Sequence, residues 1–239
     1  MADLGDEPPI LDARALRVDY RRGGAFDRGA STLRALDGVD MTVDRGSITA
    51  LIGPSGSGKS TLGRCLALLE PPTAGEIRLE GRPTGGFDRR ALATARRRVQ
   101  LVFQDAARSV ARHFDVATAI GEPLRVGGRS AGASRDRITQ LLAEVDLDEG
   151  LANRPIGGLS GGQLRRAILA RALATEPDVL VLDEALTGLD PSLVARLVDL
   201  LLDLRERRGL TYVLISHDHR LVDHLADRVV RLERGRVVD

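Results

Sequence analysis

Tryptophan is absent from the 239 residues, aromatic residues make up only 3% of them, and cysteine occurs once. So few rings leave little from which to build stacking platforms for single-stranded nucleic acid. A lone thiol, Cys65, excludes an internal disulfide, and its position among apolar residues reads as core. The net charge of +1 gives no global electrostatic reason to bind nucleic acid. Apolar runs fall far short of the roughly 20 residues that cross a bilayer, and Met1-Ala-Asp-Leu-Gly-Asp6 is acidic rather than a charged-then-apolar leader, so neither secretion nor a membrane span is expected. Lysine is scarcest of all: among 35 Lys and Arg residues only Lys59 is a lysine. Arginine has replaced it everywhere except where a compact ammonium is needed.

That lysine lies in Gly53-Pro-Ser-Gly-Ser-Gly-Lys-Ser60, followed by Thr61, which reads as a Walker A loop. Gly53, Gly56 and Gly58 let backbone N–H groups approach phosphate oxygens without a Cβ in the way, and Pro54, Ser55 and Ser57 complete the loop. The loop runs from the apolar stretch Ile48–Ile52 into Thr61–Leu69, whose spacing suits a helix, so bound phosphate faces a positive helix end. Lys59 is expected to bridge the β- and γ-phosphates and the Ser60 hydroxyl to ligate Mg²⁺.

Residues 1–11 are expected to be frayed, Ala13–Tyr20 to form a half-exposed strand, and Leu36, Val39, Met41 and Val43 a second one after a glycine-rich loop. Glu76–Leu79 resumes strand character, and the arginines flanking Ala91–Ala95 read as a solvated helix face, with an anion-binding patch as the alternative. After the apolar run Val99–Phe103, helical periods replace strands from about Ala106 to Thr175, which looks like a helical insert. Val179–Leu182 and Thr211–Ile215 are apolar throughout, as strands buried on both faces are, with a helix Pro191–Arg207 between them. Alternating strands and helices imply a largely parallel α/β sheet, with phosphate at the C-terminal edge of its strands.

Asp183-Glu184 ends the first of those buried strands. Asp183 is placed to bind Mg²⁺ through water, and Glu184, beside the metal but off it, to act as general base on the attacking water. His217 ends the second strand, where it either faces the γ-phosphate or is satisfied by backbone groups. His217, His219 and His224 lack the Cys or Glu pattern of a zinc site. Ser160-Gly-Gly-Gln163 precedes a helix and offers a second anion cradle. Either one chain holds two nucleotides, or two chains each lend one cradle to a shared nucleotide.

Leu159-Ser-Gly-Gly-Gln163 resembles the signature of ABC-type ATPases. With the Walker A loop, Gln104, Asp183-Glu184, Gly188-Leu-Asp190 and His217, the resemblance covers nearly the whole chain in the family's order. It implies a P-loop NTPase fold, with a mostly parallel core sheet, an N-terminal antiparallel β subdomain and an inserted α-helical subdomain. One ABC ATPase domain then spans 1–239, with 12–105 and 176–239 as nucleotide-binding core and 106–175 as the helical signature subdomain.

It also implies that two ATPase units pack head to tail, so that Ser160, Gly161, Gly162 and Gln163 of one close over the ATP held by the other. Tyr20 then stacks on adenine, Gln104 senses the γ-phosphate and joins Ser60 and Asp183 around Mg²⁺, Asp190 couples the two sites, and His217 holds the γ-phosphate. At a finer level, Val102-Phe-Gln-Asp105, Gly121-Glu-Pro-Leu124 and Gly209–Asp218 resemble the peptide, opine and nickel importer branch. Ala106 and Ser109-Val-Ala-Arg112 depart from that branch, as does Ala185 except from its nickel-type members, and Asp239 stands before the C-terminal extension many members carry.

The reading is therefore an ATP-hydrolysing subunit of a bacterial ABC importer for a small solute such as a peptide or nickel chelate. It implies a peripheral position on the cytoplasmic face of the cell membrane, permease subunits as partners, a second identical or non-identical ATPase, an indirect link to a solute-binding protein, and no nucleic acid. The alternatives are a soluble ABC ATPase of a non-transport complex, such as phosphonate degradation, and a nucleotide-gated interaction module.

Overall fold

The computed structural model describes residues 8–22, 31–103 and 110–238, so the calls on Gln104, Ala106 and Ser109 lie outside the described residues. Among the described residues, two sheets organise the chain. The smaller is antiparallel, in the order β2 (Ser31–Val43), β1 (Leu11–Arg22), β4 (Ala74–Leu79), β5 (Arg82–Pro83). The larger runs β10 (Arg236–Val238), β9 (Arg228–Glu233), β3 (Ile48–Ile52), β8 (Thr211–Ile215), β7 (Val179–Asp183), β6 (Val99–Phe103). All its neighbours pair in parallel except β10 with β9.

The continuous apolar runs follow from burial on both faces. Val179, Val181, Val213 and Ile215 pack with helix α1 (Lys59–Leu66) and the antiparallel sheet, whereas Leu180, Leu182, Tyr212 and Leu214 join the core built by helices α3 (Val116–Val126), α4 (Ala131–Glu144), α5 (Gly161–Leu173) and α6 (Pro191–Arg208). Helix α1 lies close on the sheet: a Cβ at Gly63 would stand 2.8 Å from Ile215 Cδ1. Helices α3 to α5 fill the stretch between β6 and β7.

Several boundaries differ from expectation. The strand expected over Ala13–Tyr20 begins at Leu11, and Ile10 and Leu11 are fully buried rather than frayed. The cause is pairing on both sides: Leu11 stands opposite Val43 in β2 and Leu79 in β4, and the Ile10 carbonyl accepts from Glu80 N at 3.0 Å. The simple alternation also fails at Ala15, which has φ 47° in a bulge and donates its N–H to Asp40 Oδ1 at 2.8 Å. The second strand reaches back to Ser31, and α1 spans Lys59–Leu66 rather than Thr61–Leu69. Helix α2 (Arg89–Arg98) uses its last arginines structurally: Arg96 Nε donates to Leu68 O, and Arg98 pairs with Glu80 and Asp178.

Candidate active site

Parallel strands bring the ends of β3, β7 and β8 to one sheet edge, and with them Gly53, Asp183 and, two residues past β8, His217. The loop after β3 is closely fitted. Gly53 has φ 146°, and a Cβ there would stand 2.0 Å from Leu232 O; Gly58 has φ 107°, with Ala35 O 2.5 Å from its would-be Cβ. No side chain could replace either without moving backbone.

Among the described residues, helices α2 to α6 each begin with a carboxylate or hydroxyl cap: Asp88, Asp115, Ser130, Ser160 and Asp190. Helix α1 begins at Gly58 with no side-chain cap. Its first N–H groups therefore suit an acceptor brought from outside, and a polyphosphate fits this glycine cradle. Lys59 is buried and donates from Nζ to Gly53 O at 2.9 Å and Pro54 O at 2.8 Å, which holds the ammonium against the loop.

Ser60 Oγ donates to Asp183 Oδ1 at 3.1 Å. A hydroxyl and a buried carboxylate side by side form a hard-oxygen pair, a donor set that fits Mg²⁺. Burial pushes the Asp183 carboxyl above its ordinary value, the neighbouring Glu184 charge adds to this, and the Ser60 hydrogen bond opposes it. Glu184 sits in the left-handed region at φ 51°, with its N–H bonded to Ile215 O at 3.0 Å and its C=O accepting from Thr187 N at 3.1 Å. His217 Nδ1 lies 3.6 Å from Glu184 Oε1.

Tyr20, reaching in from the antiparallel sheet, has its hydroxyl 3.3 Å from Thr61 Oγ1. Arg64, which sequence reasoning passed over, donates from Nη2 to Tyr20 OH at 3.0 Å and to Thr61 Oγ1 at 3.1 Å. Its spacing of three residues from Thr61 was the only available signal.

Ser160, Gly161, Gly162, Gln163 and Asp190 line a different space, a cavity of about 870 Å³ that none of the loop residues 53–61 lines. Helix α5 opens with a capping box there: Ser160 Oγ accepts from Gln163 N at 3.3 Å and Gln163 Oε1 from Ser160 N at 3.0 Å. Asp190 caps α6, and hydrogen bonds from Ser192 Oγ and Leu193 N hold its carboxyl below the usual range. A Cβ on Gly162 would meet Leu193 Cδ1 at 2.9 Å, which brings the two helix starts together.

The parallel sheet, the glycine cradle opening α1 and the carboxylates ending β7 together define a P-loop nucleoside triphosphatase. Residues 36–187 match the family model described as ABC transporter. Over 234 residues the chain is 38% identical to a Brucella ovis protein named "Putative peptide import ATP-binding protein", covering 98% of this chain and 72% of the relative. It is 41% identical to the nickel import ATP-binding protein NikE of Rhodospirillum rubrum, covering 97% and 83% respectively. A dimeric ATP-binding cassette solved in a post-hydrolysis state with ADP and Pi superposes with a TM-score of 0.83 at 29% identity, over 96% of this chain and 97% of the other. The cbiO1 cassette of Clostridium perfringens, part of the cbiONQ transporter complex, gives 0.84 at 29%, over 98% and 88%. The chain belongs to the ABC transporter family, as its ATP-binding and ATP-hydrolysing cassette.

Proposed function

We propose that this cassette powers a bacterial importer for a small solute such as a peptide or nickel chelate, bound peripherally to the cytoplasmic face of the membrane through permease subunits. Two relatives named for import, similar along almost the entire chain, support this over a soluble non-transport complex. Among the described residues no helix is long and apolar enough to cross a membrane, so attachment falls to the permeases.

One observation carries the arrangement of the site: within a single chain the P-loop and the signature line different spaces. In keeping with the ABC resemblance and with the dimeric cassette that the chain superposes on, each ATP is held by Gly53 to Thr61 of one copy and covered by Ser160 to Gln163 of a second, identical or not. In this reading 12–105 and 176–239 form the nucleotide-binding core and 106–175 the signature subdomain.

Tyr20 stacks on the adenine. Lys59 turns from the loop carbonyls to the β- and γ-phosphates. Ser60, Asp183 and Gln104 would hold Mg²⁺, which when bound would offset charge on the phosphate oxygens. Glu184 takes a proton from the water that attacks the γ-phosphorus, and the bond to the bridging oxygen breaks, leaving ADP and phosphate. His217 holds the γ-phosphate and steadies the Glu184 carboxylate. Asp190, which lines the signature cavity, couples the two sites.

The test is capture of the tagged chain from its native membranes in mild detergent, followed by mass spectrometry. Multi-spanning permeases with a second cassette are expected, and an associated solute-binding protein would identify the cargo. Recovery with soluble enzymes alone would overturn the importer reading.

A further inference from the structure

We propose that Arg64 is a positioning residue for base recognition: its guanidinium fixes the Tyr20 ring against the phosphate-binding helix, so that adenine contact is set by the tyrosine hydroxyl as well as by the ring face. The proposal rests on the reading that Tyr20 stacks on adenine. Arg64 Nη2 reaches both Tyr20 OH and Thr61 Oγ1, while Nε donates to Glu70 Oε2 at 2.8 Å. The guanidinium is itself held by Glu70, which the turn after α1 brings back over the helix end: Leu69 N and Glu70 N both donate to the Arg64 carbonyl, at 2.9 and 3.3 Å. Its planar fork serves three partners in fixed directions, which an ammonium could not do.

The consequence follows from side-chain entropy. A tyrosine has two rotatable torsions, and anchoring its hydroxyl restricts both, so the ring is oriented before nucleotide arrives. Tyr20 belongs to the antiparallel sheet and Thr61 to α1, so the contact anchors the ring from one element onto the other.

The test compares dissociation constants for Mg-ATP and for inorganic tripolyphosphate, which has no base, measured calorimetrically on the full chain in a Glu184→Gln background that prevents turnover. Tyr20→Phe and Arg64→Gln are each expected to weaken ATP about fivefold, one net hydrogen bond's worth, with tripolyphosphate unchanged within about twofold. The double variant should bind ATP no worse than either single one, and Arg64→Lys should fall between Arg64→Gln and the parent. ATP affinity unchanged in Tyr20→Phe would overturn the proposal, as would equal weakening of ATP and tripolyphosphate in a folded Arg64→Gln. If Arg64→Gln does not fold, Tyr20→Phe decides alone. Parent-like ATP affinity in Tyr20→Ala would instead remove the stacking reading, and the proposal with it.

Discussion

Helices α1 and α5 both begin in glycine-rich turns at positive helix ends, yet they are prepared for an anion in different ways. At α1 the cap is a glycine, and the chain's one lysine is folded onto the loop's own carbonyls. At α5 the Ser160 and Gln163 N–H groups are already satisfied, each by the other residue's side chain. The first is a cradle whose donors suit an outside acceptor. The second is a pre-capped platform, which in the proposed reading meets a partner's nucleotide. In the proposed reading chemistry belongs at the first end, where Asp183, Glu184 and His217 gather, and closure at the second.

The sharpest way to separate the two ends is Glu184→Gln. It should lower ATP turnover by about 10²- to 10⁴-fold while ATP still binds, read by steady-state hydrolysis beside equilibrium binding. Equal loss of both would make Glu184 a ligand rather than a base.

Glycine substitutions come next. Gly53→Ala drives a Cβ into the Leu232 carbonyl and should cost about 3 kcal/mol or more, or the fold itself, whereas Gly162→Ala meets only the end of the Leu193 side chain and should cost about 1 kcal/mol. Thermal melting of the two variants tests this, and equal losses would mean that the platform is as tightly built as the cradle.

Asp183→Asn should remove activity and yet raise stability, and with it Tm, at neutral pH. The folded pKa of Asp183 lies above its unfolded value, so the folded state binds the proton more tightly. Stability is therefore lost as pH rises from the ordinary carboxylate value of about 4 to the raised one, and the loss persists above it. The advantage of Asn should vanish below about pH 4, where Asp183 is protonated in both states. A melting series in metal-free buffer reads it, and a destabilised Asp183→Asn at neutral pH would contradict the assigned cause.

The smallest effect is Ser160→Ala. Losing the cap should cost about 1 kcal/mol of stability and leave ATP binding to the isolated chain unchanged. Weakened ATP binding in the isolated chain would erase the distinction between the two ends.

Much of this is legible in the sequence. Buried strands announce themselves by apolar runs too short for helices, and β3, β7 and β8 agree with Ile48–Ile52, Val179–Leu182 and Thr211–Ile215 to within a residue. The antiparallel sheet was less legible. Ile10 and Leu11 follow two prolines and look like a loose end, and only strands distant in sequence bury them. Helix α3 was foreseen only as part of a helical stretch, since Pro123 sits near its end and interrupts the propensity signal. Tyr20 was singled out by resemblance, but its tie to Arg64 is a contact between residues 44 apart.

The sequence by itself determined the kinds of element and the chemistry they carry, because glycine spacing, apolar periodicity and a lone lysine among arginines act over a few residues. Only the tertiary structure decided which donors remain for ligand at each helix start, which face each arginine serves, and that the P-loop and the signature look into separate spaces. Those outcomes depend on contacts between distant segments, through strand register and close packing, which no local pattern encodes.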